Sequence, residues 1–220
     1  MKLETFGYRG NFVFLPPLHQ SNSDHNLMIL ATPFGDTELV QEALEKMLSE
    51  FEGLIADPDS TSPYSKLTCL TPTENLLYTS TQYLNDYIYS NYNQDRLDVG
   101  CDFCLLYKKG NRVYLSQIGW PLLVLHHNKK NVPVSSEYST TPIDKNSGVY
   151  VPRHLMGIDS SVNVKVQSFS VDSKTRLLLL KSNENPDGLL TLYPTKLESI
   201  AESFVSIHPN QGFWLGEVTF

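Results

Sequence analysis

The sequence lacks the features of nucleic-acid-binding and membrane proteins. Its 220 residues carry 17 Lys and Arg against 24 Asp and Glu, and no basic cluster larger than the pair Lys129–Lys130 offsets the net charge of -7. Such a chain does not attract a phosphate backbone at long range. No run of roughly 18 uncharged apolar residues occurs, the length that a membrane-spanning helix requires, and Met1–Thr5 begins no signal segment. We therefore expect a cytoplasmic protein with neither nucleic acid nor membrane as a partner.

Cysteine is scarce, and its spacing favours no metal or redox site. The three cysteines, Cys69, Cys101 and Cys104, are an odd number in a chain large enough to fold without disulfides, so reduced thiols are expected. The Cys101–Cys104 spacing matches half of a zinc site, but a structural zinc needs four ligands and no second Cys or His pair stands at ligand spacing. These two residues open a predicted strand rather than a helix, which argues against a redox pair. No cofactor and no metal ligand is predicted from these motifs.

The sequence has enough apolar residues for a sizeable core. Hydrophobic residues make up 40% of the chain and charged residues 19%, a ratio typical of globular rather than disordered chains. No linker rich in Pro, Gly or Ser divides it, although residues 128–158 form a long stretch with little periodicity. We predict a single domain that spans residues 1–220.

The predicted strands and helices follow one another without regular alternation. Strands are predicted over residues 7–15, 27–31, 101–107, 112–118, 122–126, 164–171, 176–180 and 216–220. Helical spacing predicts one helix after Asp36 and Thr37, one after Pro72 with Thr73 as its cap, and one after Thr195. Residues 101–126 are expected to form an antiparallel meander, and residues 164–180 a hairpin. This order indicates an α+β fold in which helices cover antiparallel sheets.

Several segments, taken in this order, resemble the metal-dependent serine/threonine phosphatases of the 2C type. Gly7–Phe14 is similar to the first strand of that family, with Arg9 at the position of its arginine. Leu30–Asp36 lies where the family has a strand that ends in Asp-Gly-x-Gly-Gly and runs into a helix. Later segments that resemble the family are Gln117–Leu125, Arg153–Gly157 and Val171–Leu180. The resemblance covers nearly the whole chain and implies a four-layer α-β-β-α sandwich, with two antiparallel sheets flanked by helices.

The family's Ser-Asp-Gly-Leu motif has two candidate counterparts in this sequence. Ser182–Asn183 directly follows a predicted strand, whereas Asp187–Leu189 keeps the spacing to the last helix. Asp187 is slightly favoured because Asp-Gly-Leu followed by the cap Thr195 reproduces the downstream pattern. The resemblance alone does not decide between Asn183 and Asp187.

The resemblance implies a metal centre whose ligands this sequence mostly lacks. Enzymes of that family hold two Mn²⁺ or Mg²⁺ ions with aspartates, and a bridging water attacks the phosphoryl group. In this sequence the acidic pair falls on Val13 and Phe14, the central aspartate on Thr32, and the last aspartate on Phe213 or Trp214. At best Asp187 and the displaced Asp36 remain, and two carboxylates cannot neutralise two divalent cations. No catalytic, cofactor-binding or metal residue is therefore assigned.

The residues of the vestigial cleft have alternative interpretations. The candidates are Arg9, Thr32, Asp36 and Asp187. In the family the arginine contacts the substrate phosphate, so Arg9 is either a remnant contact for phosphate or carboxylate, or part of a surface ion pair. Asp36 is either a displaced metal ligand or the N-cap of the helix that follows it, and Thr32 is expected to cap a turn.

The sequence predicts a catalytically inactive relative, a pseudophosphatase that acts as a protein-binding or regulatory module. The expected partner is a protein, such as a kinase or a phosphoprotein, and the expected contact surfaces are residues 128–158 and the Trp120–Pro121 turn. Two alternatives stay open. One is an active Mn²⁺- or Mg²⁺-dependent serine/threonine phosphatase with ligands relocated to residues such as Asp36, Asp57, Asp59 and Asp187. The other is a structural or assembly subunit with an unrelated α+β fold.

Overall fold

The structure of the chain is a computed structural model that describes most of its residues. The described residues are 1–11, 14–57, 62–128, 130–135, 140–142, 150–152, 154–182 and 196–220. They form two compact units, each discontinuous in sequence. Unit 1 consists of Met1–Pro16, Gly119–Arg153 and Val171–Phe220, and unit 2 of Pro17–Ile118 and His154–Ser170. That residues 1–220 form a single domain stays a prediction.

The described residues contain twelve strands and three helices. The strands are β1 (Lys2–Tyr8), β2 (Leu18–Asn22), β3 (Leu27–Gly35), β4 (Val99–Lys109), β5 (Arg112–Ile118), β6 (Leu122–His127), β7 (Lys130–Pro133), β8 (Thr140–Pro142), β9 (Tyr150–Pro152), β10 (Lys165–Ser170), β11 (Arg176–Lys181) and β12 (Phe213–Thr219). The helices are α1 (Thr37–Ala56), α2 (Pro72–Ile88) and α3 (Leu197–Ile207), and a π-helical turn, Tyr89–Asn93, follows α2. None of these three helices is both long and apolar enough to cross a membrane.

Unit 2 is a five-stranded antiparallel sheet against which two helices pack. Its strands pair in the order β10-β5-β4-β3-β2, and both α1 and α2 contact them. Alternate residues of β3, namely Leu27, Ile29 and Ala31, belong to the same buried cluster as the apolar stripe of α1, because side chains alternate between the two faces of a strand. This pattern confirms the amphipathic helix predicted after Asp36.

The N-cap of the second helix of unit 2 lies two residues before the predicted cap. The hydroxyl of Thr71 accepts the N–H of Glu74 at 3.3 Å, and the Glu74 carboxylate accepts the N–H of Thr71 at 2.9 Å, which completes a capping box. Pro72 occupies the first helical position, where its missing N–H costs nothing. The prediction that Thr73 caps this helix is therefore wrong, because Thr73 already lies inside it.

Unit 1 contains a five-stranded antiparallel sheet and one helix. The strands pair in the order β1-β12-β11-β6-β7, and β8 and β9 form a separate two-stranded ribbon. The helix α3 packs its apolar stripe on this sheet, and the rings of Phe204 and Phe213 meet edge to face with centroids 4.8 Å apart. The predicted last helix is confirmed, with Lys196 at its N-cap position, while Thr195 lies outside the described residues.

Two predicted strand pairings are wrong because the chain changes sheets. The meander expected over residues 101–126 breaks after β5, since β5 pairs in the sheet of unit 2 and β6 in that of unit 1. The hairpin expected over residues 164–180 is likewise absent, since β10 pairs with β5 whereas β11 pairs with β12 and β6. The strands themselves were predicted at nearly the right residues. Periodicity detects a strand but not its partner.

Two further predictions differ from the structure in their position. The first strand, expected over residues 7–15, is β1 at Lys2–Tyr8, and the described residues 14–17, which include Pro16 and Pro17, are not in a strand.

The Trp120–Pro121 turn was expected as an exposed contact surface. Instead Trp120 is only 4% exposed, and its ring meets that of Phe14 edge to face at 5.3 Å. An aromatic residue that packs inside its own unit cannot serve as a contact surface.

Two buried asparagines hold the return segment 156–159 in unit 2. The Asn93 amide nitrogen donates to the carbonyl oxygens of Val99 at 2.5 Å and Gly157 at 2.6 Å. Its carbonyl oxygen accepts the N–H groups of Asp98 at 2.9 Å and Val99 at 3.1 Å. The Asn85 side chain accepts the Gly157 N–H at 2.9 Å and donates to Asp159 at 3.1 Å. Asn93 thus satisfies four backbone groups that would otherwise be buried without partners.

We predict that Asn93→Ala destabilises the protein by about 3 kcal/mol, because it removes four hydrogen bonds and leaves backbone groups buried and unsatisfied. The exposed Asn91 donates a single hydrogen bond, to the carbonyl of Tyr87, so Asn91→Ala should cost about 0.5 kcal/mol or less. Urea unfolding of the two variants measures the difference. Equal midpoints for Asn93→Ala and Asn91→Ala would contradict the role given to Asn93.

Candidate functional site

The candidate site begins in unit 2, at the end of β3 where the resemblance places the central metal ligand. Thr32 lies in β3 and is 3% exposed, and its cross-strand neighbour on β4 is Asp102, which is 1% exposed. The N–H of Thr32 donates to the Asp102 carboxylate at 2.8 Å. The carboxylate at this point of the sheet therefore belongs to the neighbouring strand and accepts a backbone hydrogen bond.

The prediction that Thr32 caps a turn is wrong. Strand β3 continues through Thr32 to Gly35, and the Thr32 hydroxyl is buried without a hydrogen-bond partner among the described residues. A buried hydroxyl without a partner costs about 1–3 kcal/mol. The side chain at the central position of the candidate site thus contributes a neutral oxygen rather than a charge.

Asp36 lies at the junction between β3 and α1 and caps the helix. Its Oδ1 atom accepts the N–H groups of Glu38 at 2.9 Å and Leu39 at 3.3 Å, and the side chain is exposed. The preceding Gly35 has a φ of +102°, and a Cβ there would lie 2.2 Å from the carbonyl oxygen of Asp98, so only glycine fits this turn. The structure gives Asp36 the contacts of an N-cap.

Asp57, a ligand in the relocated-centre alternative, lies at the opposite end of the same helix. It is the C-cap residue of α1, and its N–H donates to the carbonyl of Gly53 at 2.9 Å. The helix has 20 residues, a length of about 30 Å at the rise of an α-helix. Asp36 and Asp57 therefore cannot bind the same metal ion or adjacent ions.

In unit 1, Arg9 directly follows β1 on a fixed piece of backbone. The side chain is exposed, and it makes no ion pair with any described residue. A Cβ on Gly10 would lie 2.4 Å from the backbone of Gln211, and the N–H of Asn11 donates to the carbonyl of Asn210 at 2.8 Å. The surface ion pair considered for Arg9 is not among the described contacts, and its guanidinium is accessible to an anion.

Also in unit 1, aromatic rings occupy the positions where the family's last aspartate is expected. Phe213 and Trp214 begin β12 and are buried. The Phe213 ring stacks on that of Tyr8, with centroids 5.6 Å apart. A Cβ on Gly216 would lie 2.7 Å from the Trp214 ring, so this glycine leaves space for the indole. Phe213 packs in the apolar cluster beneath α3, Trp214 is buried outside that cluster, and neither ring supplies an oxygen ligand.

Lys181 is a buried cation that the sequence analysis missed. It ends β11, is 1% exposed, and its ammonium lies 5.8 Å from the centroid of the Trp214 ring. The next residue, Ser182, accepts a hydrogen bond from the Gln211 amide at 2.7 Å. Two signals in the sequence point to these buried charges. Lys181 directly follows the four leucines of β11, and Asp102 lies within the apolar run of β4.

The remaining candidates fall outside the described residues. These are Val13, Asp59, Asn183 and Asp187, so the choice between Asn183 and Asp187 stays open. Thr32 and Asp36 lie at one strand-to-helix junction in unit 2, whereas Arg9 belongs to unit 1. The two cysteines of the Cys101–Cys104 spacing are reduced and buried, as predicted.

A two-cation centre does not fit the residues that the structure describes. Among them no three His, Cys, Asp or Glu side chains lie close enough together to hold a metal ion. At the end of β3 the carboxylate of Asp102 stands opposite a threonine, and at the start of β12 the side chains are aromatic. Two divalent cations a few Å apart need several oxygen ligands with enough negative charge to offset their repulsion.

Solved structures with the same fold include serine/threonine phosphatases. The Mycobacterium tuberculosis serine/threonine phosphatase PstP superposes with a TM-score of 0.62 at 16% identity, over 100% of this chain and 98% of that one. Stp1 from Staphylococcus aureus gives 0.64 at 14% identity, over 100% and 94%. PppA from Pseudomonas aeruginosa, a regulatory component of T6SS, gives 0.63 at 13% identity, over 100% and 97%.

These matches are matches of fold. No family model matches the chain, and no curated protein matches it either. The two five-stranded antiparallel sheets and three helices of the described residues correspond to the architecture of the phosphatases over their whole length. The fold predicted from the resemblance is confirmed: this chain has the fold of the serine/threonine phosphatases of the 2C type.

Proposed function

We propose that this chain is a catalytically inactive protein with the phosphatase 2C fold, which acts as a regulatory module by binding another protein. The observation that carries the proposal is the pair Thr32 and Asp102. The position aligned with the central metal ligand holds a threonine, and the nearby carboxylate already accepts a backbone N–H. The threonine hydroxyl is a neutral oxygen, whereas a centre of two divalent cations needs negatively charged ligands.

Aromatic residues in unit 1 support the same proposal. Phe213 and Trp214 stand where the resemblance places the family's last aspartate, and neither side chain can supply an oxygen ligand.

The alternative of an active phosphatase with relocated ligands has less support. The length of α1 separates Asp36 from Asp57, so the four proposed carboxylates cannot form one centre. Asp36 also has a sufficient structural role as an N-cap. The second alternative, an unrelated fold with an accidental resemblance, is contradicted by superposition on phosphatases over the full chain.

A binding role is consistent with the role described for one solved protein of the same fold. PppA has this fold and is described as a key regulatory component of T6SS. We propose that the partner of this chain is a kinase or a phosphoprotein, and that residues 128–158 contribute to the contact, because segments whose sequence has little apolar periodicity carry recognition more often than sheet interiors do. The described parts of this stretch are not all irregular, since β7, β8 and β9 lie within it. The exposed Arg9 is the proposed contact for a phosphate group.

We predict that the chain does not hydrolyse p-nitrophenyl phosphate or a phosphothreonine peptide above the uncatalysed rate in millimolar Mn²⁺ or Mg²⁺. Calorimetric titration with Mn²⁺ should show no binding of two ions. Staphylococcal Stp1, assayed in parallel, serves as the positive control for substrate and metal. Mn²⁺-dependent turnover together with two-ion stoichiometry would overturn the proposal of inactivity.

Asp36 offers a test that separates a helix cap from a metal ligand. Asp36→Ala should destabilise the protein by about 1 kcal/mol, whereas Asp36→Asn should change its stability by only a few tenths of a kcal/mol, because asparagine is an equally good N-cap. Thermal unfolding with and without Mn²⁺ is the measurement. If Asp36 were a ligand, Mn²⁺ would stabilise the original chain and this stabilisation would be lost in Asp36→Asn.

Arg9→Ala should leave the stability unchanged within about 0.5 kcal/mol, since the side chain is exposed and has no described ion pair. The immobilised chain should retain phosphoproteins from a lysate, and Arg9→Ala should retain several-fold less. Arg112→Ala, which removes another exposed arginine, is the matched control. Equal retention by the two variants would remove Arg9 from the proposed contact.

A further inference from the structure

A cavity of about 300 Å³ lies in unit 2, far from the candidate site. Its walls come from the last turn of α1, the first half of α2, the end of β4 and residues 62–70. Lys109 of β4 lines it, and Asp102 lies seven residues earlier on the same strand, a separation of about 23 Å at the rise of a β-strand. Its volume is at the lower end of small-molecule sites, which span roughly 300–1,000 Å³.

Hydrogen bonds hold the loop wall of this cavity to α2. Asn75 is buried, and its amide nitrogen donates to the carbonyls of Leu67 at 3.0 Å and Leu70 at 3.1 Å, while its oxygen accepts the Leu67 N–H at 2.8 Å. Farther along the loop, the Tyr64 hydroxyl donates to the Asp86 carboxylate at 2.7 Å. The wall is therefore already ordered, so a ligand does not lose affinity to the ordering of the loop.

The cavity combines an apolar interior with two cations. Leu54, Leu70 and Leu76 are among its apolar lining residues, and Lys66 and Lys109 are its charged ones. None of the described residues that line it is acidic, and neither ammonium makes an ion pair with any of the residues that the structure describes. The positive N-terminus of α2 and the negative C-terminus of α1 both reach the cavity and act in opposite directions, so the two lysines determine its charge.

Tyr107 also lines this cavity. Its ring lies edge to face against Phe51, with centroids 5.3 Å apart, which fixes the side chain. Burial raises the pKa of the Tyr107 hydroxyl, so this group remains protonated at neutral pH. It donates no hydrogen bond to a described residue.

We propose that this cavity binds a small organic carboxylate with an aromatic or branched apolar body. The apolar body would occupy the leucine-lined interior, and the carboxylate would be attracted by Lys66 and Lys109. A single negative charge suits this site better than a phosphate dianion, because the mostly apolar lining cannot replace the water lost by a doubly charged group. The proposal does not depend on whether the chain hydrolyses phosphate.

The test is a calorimetric titration of the full chain with 2-naphthoate and with uncharged 2-naphthamide. We expect saturable 1:1 binding of naphthoate and about tenfold weaker binding of naphthamide, a difference typical of a charge-assisted contact. In Lys66→Gln/Lys109→Gln, naphthoate should bind about as weakly as naphthamide does. A cavity-filling variant, Thr73→Trp, should abolish binding of both compounds.

The matched control is Lys46→Gln/Lys108→Gln, which removes the same net charge from two lysines of unit 2 that do not line the cavity. This control should bind naphthoate within about twofold of the original chain, and thermal unfolding checks that every variant is folded. Three results would overturn the proposal: no naphthoate binding at millimolar concentration, equal affinity for naphthoate and naphthamide, or equal losses in the two double variants. Binding that survives Thr73→Trp in a folded protein would place the ligand elsewhere.

Discussion

Unit 2 depends on the pairing of β3 with β4 at the centre of its sheet. The pair spans nine residues of each strand, from Leu27 opposite Tyr107 to Gly35 opposite Val99. Near one end of this strand pair, the side-chain carboxylate of Asp102 accepts the backbone N–H of Thr32. Beyond it, Gly35 turns the chain against the backbone of Asp98 and α1 begins. The strand-to-helix junction of the candidate site is thus set by a buried carboxylate and a glycine.

The elements of the fold were predictable because they depend on local patterns. Apolar spacing identified all three helices, and β-branched and apolar runs identified most strands. Partners of strands depend on contacts distant in sequence, so the change of sheet between β5 and β6 and between β10 and β11 was missed. Only the family resemblance, a whole-chain comparison, carried information about the two-sheet architecture.

The sequence predicts which acidic residues the candidate site lacks, but it does not predict the buried charges of Asp102 and Lys181. The absence of acidic side chains at Thr32 and Phe213, where the resemblance expects them, can be read from the sequence. Asp102 and Lys181 were missed because single charged residues in apolar runs are ordinarily assumed to lie at a surface, and their burial depends on tertiary packing. Buried charges are rarely retained without a partner or a role, so these two residues mark where the chain departs from a simple apolar core.

The sheet order of unit 1 determines when during synthesis this unit can form. Strand β12 lies between β1 and β11, so the first strand of the chain pairs with the seven-residue strand near its last residue. Until β12 has left the ribosome, β1 has no neighbour in the final sheet and one edge of β11 is open. Unit 2, by contrast, has all its strands once residue 170 has been made. Unit 2 can therefore fold first, while unit 1 must wait for β12.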